Sequence, residues 1–368
     1  MLCRRAVTFG WRPSGKNIFM KLEYKPDFQQ ARDSWADFWQ GKSKRPLIEI
    51  TIPKAGKTPV PRPRYMAGHD GNFEPVIDQA LAWADSHEFI GEAIPFYFVE
   101  FGPDTFASFL GAELNLQLDH ETSWCKPFVK DWDDTEIKFR PKSEWWQRTA
   151  EFIKALRART DGKLLVAPPL LCANLDALAA IRGIEDLLVD LVECPEKVHK
   201  ALDDVNQAYS QVLDEYDKLL DTKTYGSINS EGFYTPGRQS RPQCDMSVMI
   251  SEDMFKEFVV PALTYEASIV DAFVYHLDGP DAIKHLPALC SIEKLDLITW
   301  VPGAGHKHEN WDWLHDKIVD SGKGYGAGIM CHDRIRHLAR QPYAHKLAIT
   351  TTAATKTEAE ELIAELEK

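Results

Sequence analysis

Several features that often reveal a function are missing from this sequence of 368 residues. No apolar run approaches the ~18 residues that span a bilayer, so we expect no membrane segment. The chain has no P-loop, no Gly-x-Gly-x-x-Gly loop, no Gly-x-Ser-x-Gly elbow and no His-Glu-x-x-His motif. Sequence support for nucleotide cofactors or serine hydrolysis is therefore lacking. An excess of positive charge is also missing, because the net charge is −13, and nucleic-acid binding through a general basic surface is not expected.

Cysteine is present without a recognisable pattern. The seven Cys residues are scattered along the chain and form no CxxC pair. Scattered cysteines in a long acidic chain are typical of reduced thiols in an intracellular protein, so we predict a cytoplasmic location. The cysteines are Cys3, Cys125, Cys172, Cys194, Cys244, Cys290 and Cys331.

The first nineteen residues differ from the rest of the chain. They carry Arg4, Arg5, Arg12 and Lys16 but no acidic residue, and their apolar centre is too short for a signal peptide. We interpret 1–19 as an N-terminal extension that precedes the natural start at Met20. An organelle-targeting segment is the alternative. The remaining residues, 20–368, are predicted to form one domain.

Strand-like and helix-like segments alternate along this domain. Most predicted strands are short apolar or β-branched runs bounded by Gly, Pro or polar residues. Eight such units predict a parallel α/β sheet closed as a (β/α)₈ TIM barrel, with an open doubly wound sheet as the alternative. The predicted strands are 46–53, 94–102, 163–171, 224–232, 272–279, 295–302, 325–331 and 347–353.

Three long insertions follow predicted strands. Residues 54–72 form a loop rich in Pro, Gly and basic residues, and 112–142 contain an alternating stretch that predicts a hairpin. The third insertion is 233–250. The carboxyl ends of the strands of an α/β barrel meet at the rim that carries the active site, so we expect all three insertions on that rim.

The strongest candidate site residues are His276 and Asp278, which end an otherwise apolar strand. Because side chains alternate along a strand, both point to the same face. They are predicted to act as metal ligands or as an acid/base pair. In the alternative interpretation, Asp278 and Gly279 belong to a turn that starts the next helix, with Pro280 at its first position.

Other candidates fall at the same rim. Glu231 is a predicted ligand or base, with a solvated loop carboxylate as the alternative. Cys331 is a predicted soft-metal ligand, or a buried thiol in front of a helix that Asp333 caps. Asp245 is a predicted charge-stabilising group.

Substrate contacts are predicted for a further set of residues. Asn174 and Asp176 follow the third predicted strand, and Asn174 could equally cap a helix. Trp300 is placed to stack on a flat ligand or to pack in the core. Arg238 and Arg241 could anchor a carboxylate or phosphate, because the guanidinium fork suits both groups.

Three segments carry a family resemblance. They are NLDALAAIRGIEDLLVDLVECPEKVHKALD at 174–203, DMSVMISEDMFKEFVVPAL at 245–263 and YHLDGPDAIKHLPAL at 275–289. On these motifs the chain resembles the uroporphyrinogen decarboxylase superfamily, which also includes corrinoid-linked methyltransferases. The resemblance spans roughly 70–368 and implies a (β/α)₈ barrel.

Departures from the family pattern separate its branches. The decarboxylases carry an early Arg-rich signature, whereas this chain reads IEITIPKAG after Arg45-Pro46-Leu47. The thiol-directed methyltransferases bind zinc through His-x-Cys and a later Cys. Here His276 matches the histidine, Asp278 replaces the first cysteine, and the late region AITTTAAT has no cysteine. The resemblance thus implies at most a weak zinc site formed by His276, Asp278 and Cys331.

Two classes of function follow from the resemblance. The first is an enzyme, namely a methyltransferase that acts on a small substrate with a corrinoid, which a partner protein carries or the substrate supplies. A carboxy-lyase acting on a porphyrinogen or a smaller acid is its alternative, with Arg238 or Arg241 as anchor and Asp245 as charge stabiliser. The second class is a non-catalytic binder of a tetrapyrrole or corrinoid. The sequence predicts no particular oligomeric state.

Overall fold

A computed structural model of the protein describes residues 21–303, 305, 306 and 308–367. The predicted extension at 1–19 therefore lies outside the described residues. None of the helices in the described ranges is long and apolar enough to cross a membrane.

Helices and strands alternate along most of the chain. The strands are β1 (Leu47–Pro53), β2 (His87–Gly91), β3 (Phe96–Phe98), β4 (Glu113–Gln117), β5 (Thr122–Lys126), β6 (Leu165–Ala167), β7 (Ser227–Ile228), β8 (Tyr234–Thr235), β9 (Gln239–Ser240), β10 (Ala272–Asp278), β11 (Leu297–Val301), β12 (Gly324–Ala327) and β13 (Leu347–Thr351). The α-helices are α1 (Phe28–Trp39), α2 (Glu74–Asp85), α3 (Thr105–Phe109), α4 (Glu144–Thr160), α5 (Asn174–Arg182), α6 (Ile184–Glu193), α7 (Pro195–Leu220), α8 (Thr222–Tyr225), α9 (Glu252–Met254), α10 (Val260–Ser268), α11 (Leu286–Cys290), α12 (Asp312–Asp320), α13 (His332–Ala339) and α14 (Lys356–Leu366). A π-helical turn, Phe255–Val259, joins α9 to α10.

The central sheet has seven strands in the order β2-β1-β13-β12-β11-β10-β9. β2 is antiparallel to β1, and all the other neighbours are parallel. β3 and β6 form a separate parallel pair. Among the described residues, no strand pairing joins β9 back to β2 through these shorter strands. The parallel α/β part of the prediction is confirmed, whereas closure into a barrel stays a prediction.

Three predicted strands are much shorter than expected, and the backbone explains two of them. β6 ends just before Pro168 and Pro169, which have no N–H to donate to a neighbouring strand. Pro95 precedes β3 in the same way. The third, predicted over 224–232, is reduced to β7, because α8 occupies the residues in front of it.

One apolar cluster lies beneath seven strands. It takes residues from β1, β3, β6, β7, β10, β11 and β13, together with Tyr234 of β8, and packs them against α1. We call these strand residues the apolar floor: Leu47, Phe96, Leu165, Ile228, Val274, Leu297 and Ala348. All seven strands therefore share one buried apolar interior.

Helix α1, which the sequence analysis did not predict, closes this interior from below. Its buried residues Phe28, Ala31, Trp35 and Phe38 recur at helical spacing. The Nε1–H group of Trp35 donates to the carbonyl oxygen of Glu92 at 3.1 Å. The helix therefore both covers the apolar floor and binds the backbone beside the sheet.

The predicted hairpin in the second insertion is confirmed. β4 and β5 pair antiparallel, with Leu114 opposite Cys125. Glu121 lies between them with a φ of 50°. This hairpin places Trp124 and Cys125 at one wall of the cavity described below.

A buried carboxyl group lies on α10 among the helices outside the sheet. Glu266 is fully buried, and neither of its oxygens has a hydrogen bond of normal geometry. Burial raises the pKa of Glu266 to about 8, although the Asn174 amide lies near enough to oppose the rise. The folded protein therefore holds this carboxyl in its neutral form over much of the physiological range.

This carboxyl should make stability fall as the pH rises. Between the ordinary pKa of 4.5 and the folded pKa of about 8, the unfolded chain loses a proton that the folded chain retains. We expect Glu266→Gln to remove this loss, so the variant gains roughly 2–4 kcal/mol of unfolding free energy over the wild type by about pH 8. Urea denaturation from about pH 5 to about pH 9 measures the difference. The exposed Glu361→Gln is the control, and an equal gain at every pH would contradict this account.

Candidate functional site

Polar side chains lie two positions beyond the apolar floor on four strands. Strand alternation places residues two apart on the same face, so these side chains face the same interior, nearer the carboxyl ends of the strands. The register confirms this neighbourhood, because Glu49 pairs with Thr350 and His276 with Thr299. We call this set the polar layer: Glu49 on β1, His276 on β10, Thr299 on β11 and Thr350 on β13.

A buried arginine brings two predicted site residues together. The Nη2 of Arg241 donates to Glu231 Oε1 at 2.6 Å and contacts His276 Nδ1 at 2.7 Å. Thr299 Oγ1 lies 3.3 Å from Glu231 Oε1 and 3.1 Å from His276 Nδ1. We call Glu231, Arg241, His276 and Thr299 the charged cluster. It joins the segments that follow β7 and β9 to strands β10 and β11.

The contact with Arg241 fixes the tautomer of His276. A guanidinium group has only donors, so Nδ1 must accept the hydrogen bond and carries no proton. The proton of the neutral ring is then on Nε2, which makes no hydrogen bond with the described residues. His276 therefore presents a free N–H donor to a ligand.

The charge of Glu231 depends on its neighbours. Burial alone raises the pKa of this carboxyl, but the charge and the hydrogen bond of Arg241 outweigh it and lower the pKa to about 2. Glu231 Oε2 and the Nε and Nη1 of Arg241 are buried and have no partner among the described residues. Unpaired buried polar atoms are costly, so these atoms indicate that the cluster is built to contact a further group.

Glu49 in the polar layer has the opposite protonation. Burial, followed by the charges of Glu92 and Glu231, raises its pKa well above the usual range. Its Oε2 atom also lacks a partner. Glu49 is therefore favoured as a neutral carboxyl group that can donate a hydrogen bond or a proton.

A glycine preserves space beside the charged cluster. A Cβ atom at Gly326 on β12 would lie 2.7 Å from Cγ2 of Thr299 and 2.8 Å from Cζ of Phe233. Both distances are shorter than a carbon–carbon contact allows. A side chain here would push Thr299 away from Glu231.

The first insertion, 54–72, covers this interior from one side. Arg241 lies close enough to the Tyr65 hydroxyl to influence its pKa, which burial raises. In the same loop, Arg62 lies near the carboxyl of Glu49. The loop therefore reaches the polar layer, as expected of a rim insertion.

Asp278 shares a strand with His276 but does not pair with it. Asp278 is exposed, and the carboxylate nearest His276 is Glu231, at 3.4 Å from Nδ1. Pro280 begins a 3₁₀ helix directly after Gly279, as in the turn interpretation of this segment. The charge of Asp278 still acts on Asp245 and, after burial, raises the pKa of that carboxyl.

Asn174 and Asp176 hold the third insertion in place. Asn174 does not cap a helix; its Nδ2 donates to the carbonyl oxygen of Gln243 at 3.0 Å. The carboxylate of Asp176 accepts the backbone N–H groups of Asp245 and Met246 at 2.9 and 3.0 Å. Burial and the charge of Asp245 raise the pKa of Asp176 to about 8.

A cavity of about 730 Å³ lies next to these carboxyl groups. Asp104, Asp176 and Asp245 line it together with Cys172, while Trp124, Ile184 and Met249 add apolar surface. These three apolar side chains are largely exposed. The cavity does not include the charged cluster. Asp245 connects the two regions, because it lines the cavity and the charges of Asp278 and His276 influence its pKa.

Two predicted substrate contacts lie elsewhere. Arg238 lies directly before β9, and its carbonyl oxygen accepts hydrogen bonds from the backbone at the start of β10. Its side chain pairs with Asp214 and Asp217 of α7. It therefore fastens that helix to the end of β10 opposite His276. Trp300 alternates with Thr299 and packs against Trp311, with ring centroids 5.0 Å apart. Neither joins the charged cluster.

The described residues do not fit the zinc site that the resemblance implies. Cys331 is exposed just before α13. No group of three or more His, Cys, Asp or Glu in the described ranges is arranged to hold a metal. A cationic guanidinium already occupies Nδ1 of His276 and one oxygen of Glu231, and it would repel a metal ion there. Zinc therefore does not fit the contacts that His276 and Glu231 make in this structure.

Sequence reasoning named His276, Glu231 and Arg241 but missed Glu49 and Thr299. Glu49 carries a weak signal, because it is the only charged residue within the buried strand LIEITIP. A lone acid at an inward position of an apolar strand indicates a functional or paired group. Pattern reading treated it as an ordinary strand residue.

Comparison with known proteins gives a fold and no family. A solved structure of a methyltransferase from Methanosarcina mazei is similar with a TM-score of 0.57, over 91% of this chain and 97% of that chain. The two sequences are 11% identical, so the similarity shows a shared fold alone. No family model matches the sequence, and no curated protein matches it significantly.

Removing the cation of the charged cluster should leave a buried carboxylate without a partner. We expect Arg241→Gln to lower the unfolding free energy at neutral pH by about 3–5 kcal/mol, because Glu231 loses its partner. Glu231→Gln in the same chain should recover part of this loss. The wild type also loses the contribution of Glu231 as the pH falls from 4.5 through about 2, and Arg241→Gln should lack that dependence.

Urea denaturation of the two single variants and the double variant measures the coupling between the side chains. Arg159 offers a control, because it pairs with Glu74 and Asp78 on an exposed surface. Arg159→Gln should change the unfolding free energy far less than Arg241→Gln does, because solvent screens an exposed ion pair. Strictly additive losses for Arg241→Gln and Glu231→Gln would disprove the pairing.

Proposed function

We propose that this chain is a methyltransferase-type enzyme whose reaction takes place at the charged cluster and the polar layer. The observation that carries the proposal is the set of buried polar atoms without partners on Arg241, Glu231 and Glu49. They lie together with the free Nε2–H of His276 at the carboxyl ends of parallel strands, where α/β folds bind their substrates. The fold shared with a methyltransferase is consistent with this class.

The barrel architecture belongs to the same proposal. The apolar floor draws on seven strands, and the polar layer lies directly above it. We therefore expect the short strands β3, β6 and β7 to complete a (β/α)₈ barrel whose mouth is this layer. The floor would hold the strands at fixed distances and so position the polar groups for catalysis.

The proposed step breaks the bond between a methyl group and an oxygen or sulfur atom of a small substrate. The heteroatom keeps the bonding electron pair, and the methyl carbon passes to a nucleophile. The Nε2–H of His276 stabilises the charge that develops on the heteroatom. Glu49, held neutral by burial, then supplies the proton and regains one from water afterwards.

The resemblance implies that a corrinoid, carried by a partner protein, takes part in this transfer. When bound, a reduced corrinoid supplies the nucleophile that accepts a methyl group. The cavity of about 730 Å³ lies beside the mouth and has apolar walls that suit part of a planar macrocycle. Trp124 and Met249 would contact it, and Asp245 would face the charged cluster.

The same cavity favours a second candidate, a non-catalytic binder of a corrinoid or tetrapyrrole. Its lining combines apolar surface with charged side chains, which is sufficient for binding without chemistry. The carboxy-lyase alternative has less support, because Arg238, one of its two proposed anchors, is paired with α7.

Two substitutions of His276 test the enzyme proposal. Gln places an amide N–H near the position of Nε2, whereas Asn keeps only an acceptor near Nδ1. We expect His276→Asn to lower methyl transfer by about 100-fold or more and His276→Gln to retain more activity, because only Gln supplies the donor. The unfolding midpoint of His276→Asn should change little, since this variant preserves the acceptor for Arg241.

The assay follows methylcobalamin formation from reduced cobalamin and a panel of methanol, methyl sulfides and methoxy acids. The exposed His337 on α13 provides the control variant, His337→Asn. Tight cobalamin binding without methyl transfer would favour the binder. Release of carbon dioxide from the acids would favour the carboxy-lyase. Equal rates for wild type and His276→Asn would remove His276 from the mechanism.

A further inference from the structure

An arginine of the first insertion lies across two fixed aromatic rings. The guanidinium carbon of Arg62 is 4.2 Å from the centroid of the Trp83 ring and 4.9 Å from that of Phe96. Both rings belong to the buried cores, being 4% and 5% exposed. A guanidinium held over aromatic faces keeps its N–H edge available in its own plane. We call Trp83 and Phe96 the aromatic shelf.

The N–H groups of Arg62 have no partner of their own. With the described residues, its guanidinium makes neither a hydrogen bond nor an ion pair, unlike Arg45, Arg182 and Arg238. The side chain is exposed to solvent, yet the surrounding protein lowers its pKa by burial while Glu49 opposes this. Arg62 therefore lies in a recess that a small ligand can enter.

The charges around this recess do not balance. Arg241 and Glu231 neutralise each other at 2.6 Å. Glu49 compensates Arg62 only when it ionises, and burial favours its neutral form. One positive charge is left beside the polar layer of a chain whose net charge is −13. A partly enclosed charge of this kind favours an anionic ligand.

We propose that Arg62, held on the aromatic shelf, binds a carboxylate group of the substrate. The inference rests on the proposed function and specifies its substrate class, namely a small carboxylic acid with a methyl group on an oxygen or sulfur atom. The carboxylate lies at Arg62, and the methylated atom extends towards the Nε2–H of His276.

A carboxylate fits this position better than a phosphate. The guanidinium edge offers two parallel N–H groups in one plane, which match the two oxygens of a planar carboxylate. Tetrahedral phosphate groups are usually held by several backbone N–H groups of a glycine-rich loop or a long helix N-terminus. Arg62 lies among Pro61, Pro63 and the aromatic shelf, and the two prolines have no N–H to add.

Binding of a charged and an uncharged probe of equal size tests the assignment without turnover. We expect methoxyacetate to bind the full-length protein in a calorimetric titration, and methoxyacetamide to bind about tenfold more weakly or not at all. Arg62→Gln should remove this preference. Arg62→Lys should keep the charge but lose the fork, so its affinity for methoxyacetate should fall by about tenfold.

Arg64 provides the matched control, because it is exposed on the same loop. Arg64→Gln should bind methoxyacetate as the wild type does, and unfolding midpoints should verify that each variant is folded. Equal affinity for the acid and the amide, tighter binding of inorganic phosphate, or no binding of methoxyacetate would overturn the assignment. Methyl transfer is not measured here, so a failure of the proposed function leaves these outcomes unchanged.

Discussion

The guanidinium group of Arg241 is the contact on which the arrangement of this site depends. One nitrogen atom, Nη2, reaches both Glu231 and His276. That single contact keeps the carboxylate ionised in a buried place, leaves Nδ1 of the imidazole without a proton and directs the remaining N–H outward. It also ties the loops after β7 and β9 to strand β10. Without the arginine, the weaker contacts of Thr299 would be left to join Glu231 to His276.

A buried ion pair is a weak source of stability, so the support for this site must come from elsewhere. It comes from the apolar floor, where residues such as Val274 and Leu297 pack one layer below His276 and Thr299. Helix α1 seals that layer from the other side. The apolar floor stabilises the fold by excluding water. The polar layer and the charged cluster depend on the rigidity of that packing, which holds charged groups in place that water would otherwise solvate.

Sequence reasoning reached the parallel α/β fold because apolar strands, helical periodicity and turn residues are local signals. It also found His276 and Glu231, since each polar residue follows an apolar or turn-bounded run. It did not separate Arg238 from Arg241, which are three residues apart. Arg238 lies directly before β9 and pairs with α7, whereas Arg241 follows β9 and pairs with Glu231 in the charged cluster. That difference depends on where the short strand β9 begins and on the register of its neighbour, neither of which leaves a local pattern.

The protonation of the acidic groups in and around the polar layer and the cavity follows from their partners. Glu231 has a cation beside it and a pKa of about 2, whereas Asp176 has Asp245 as a neighbour and a pKa of about 8. Glu49 is buried near two other carboxyl groups and is also favoured as neutral. Environments that shift the pKa values of similar groups in opposite directions in this way separate fixed charges from proton donors. Glu231 is therefore a fixed charge that orients Arg241 and His276, and the proposed reaction takes its proton from a neutral carboxyl, Glu49.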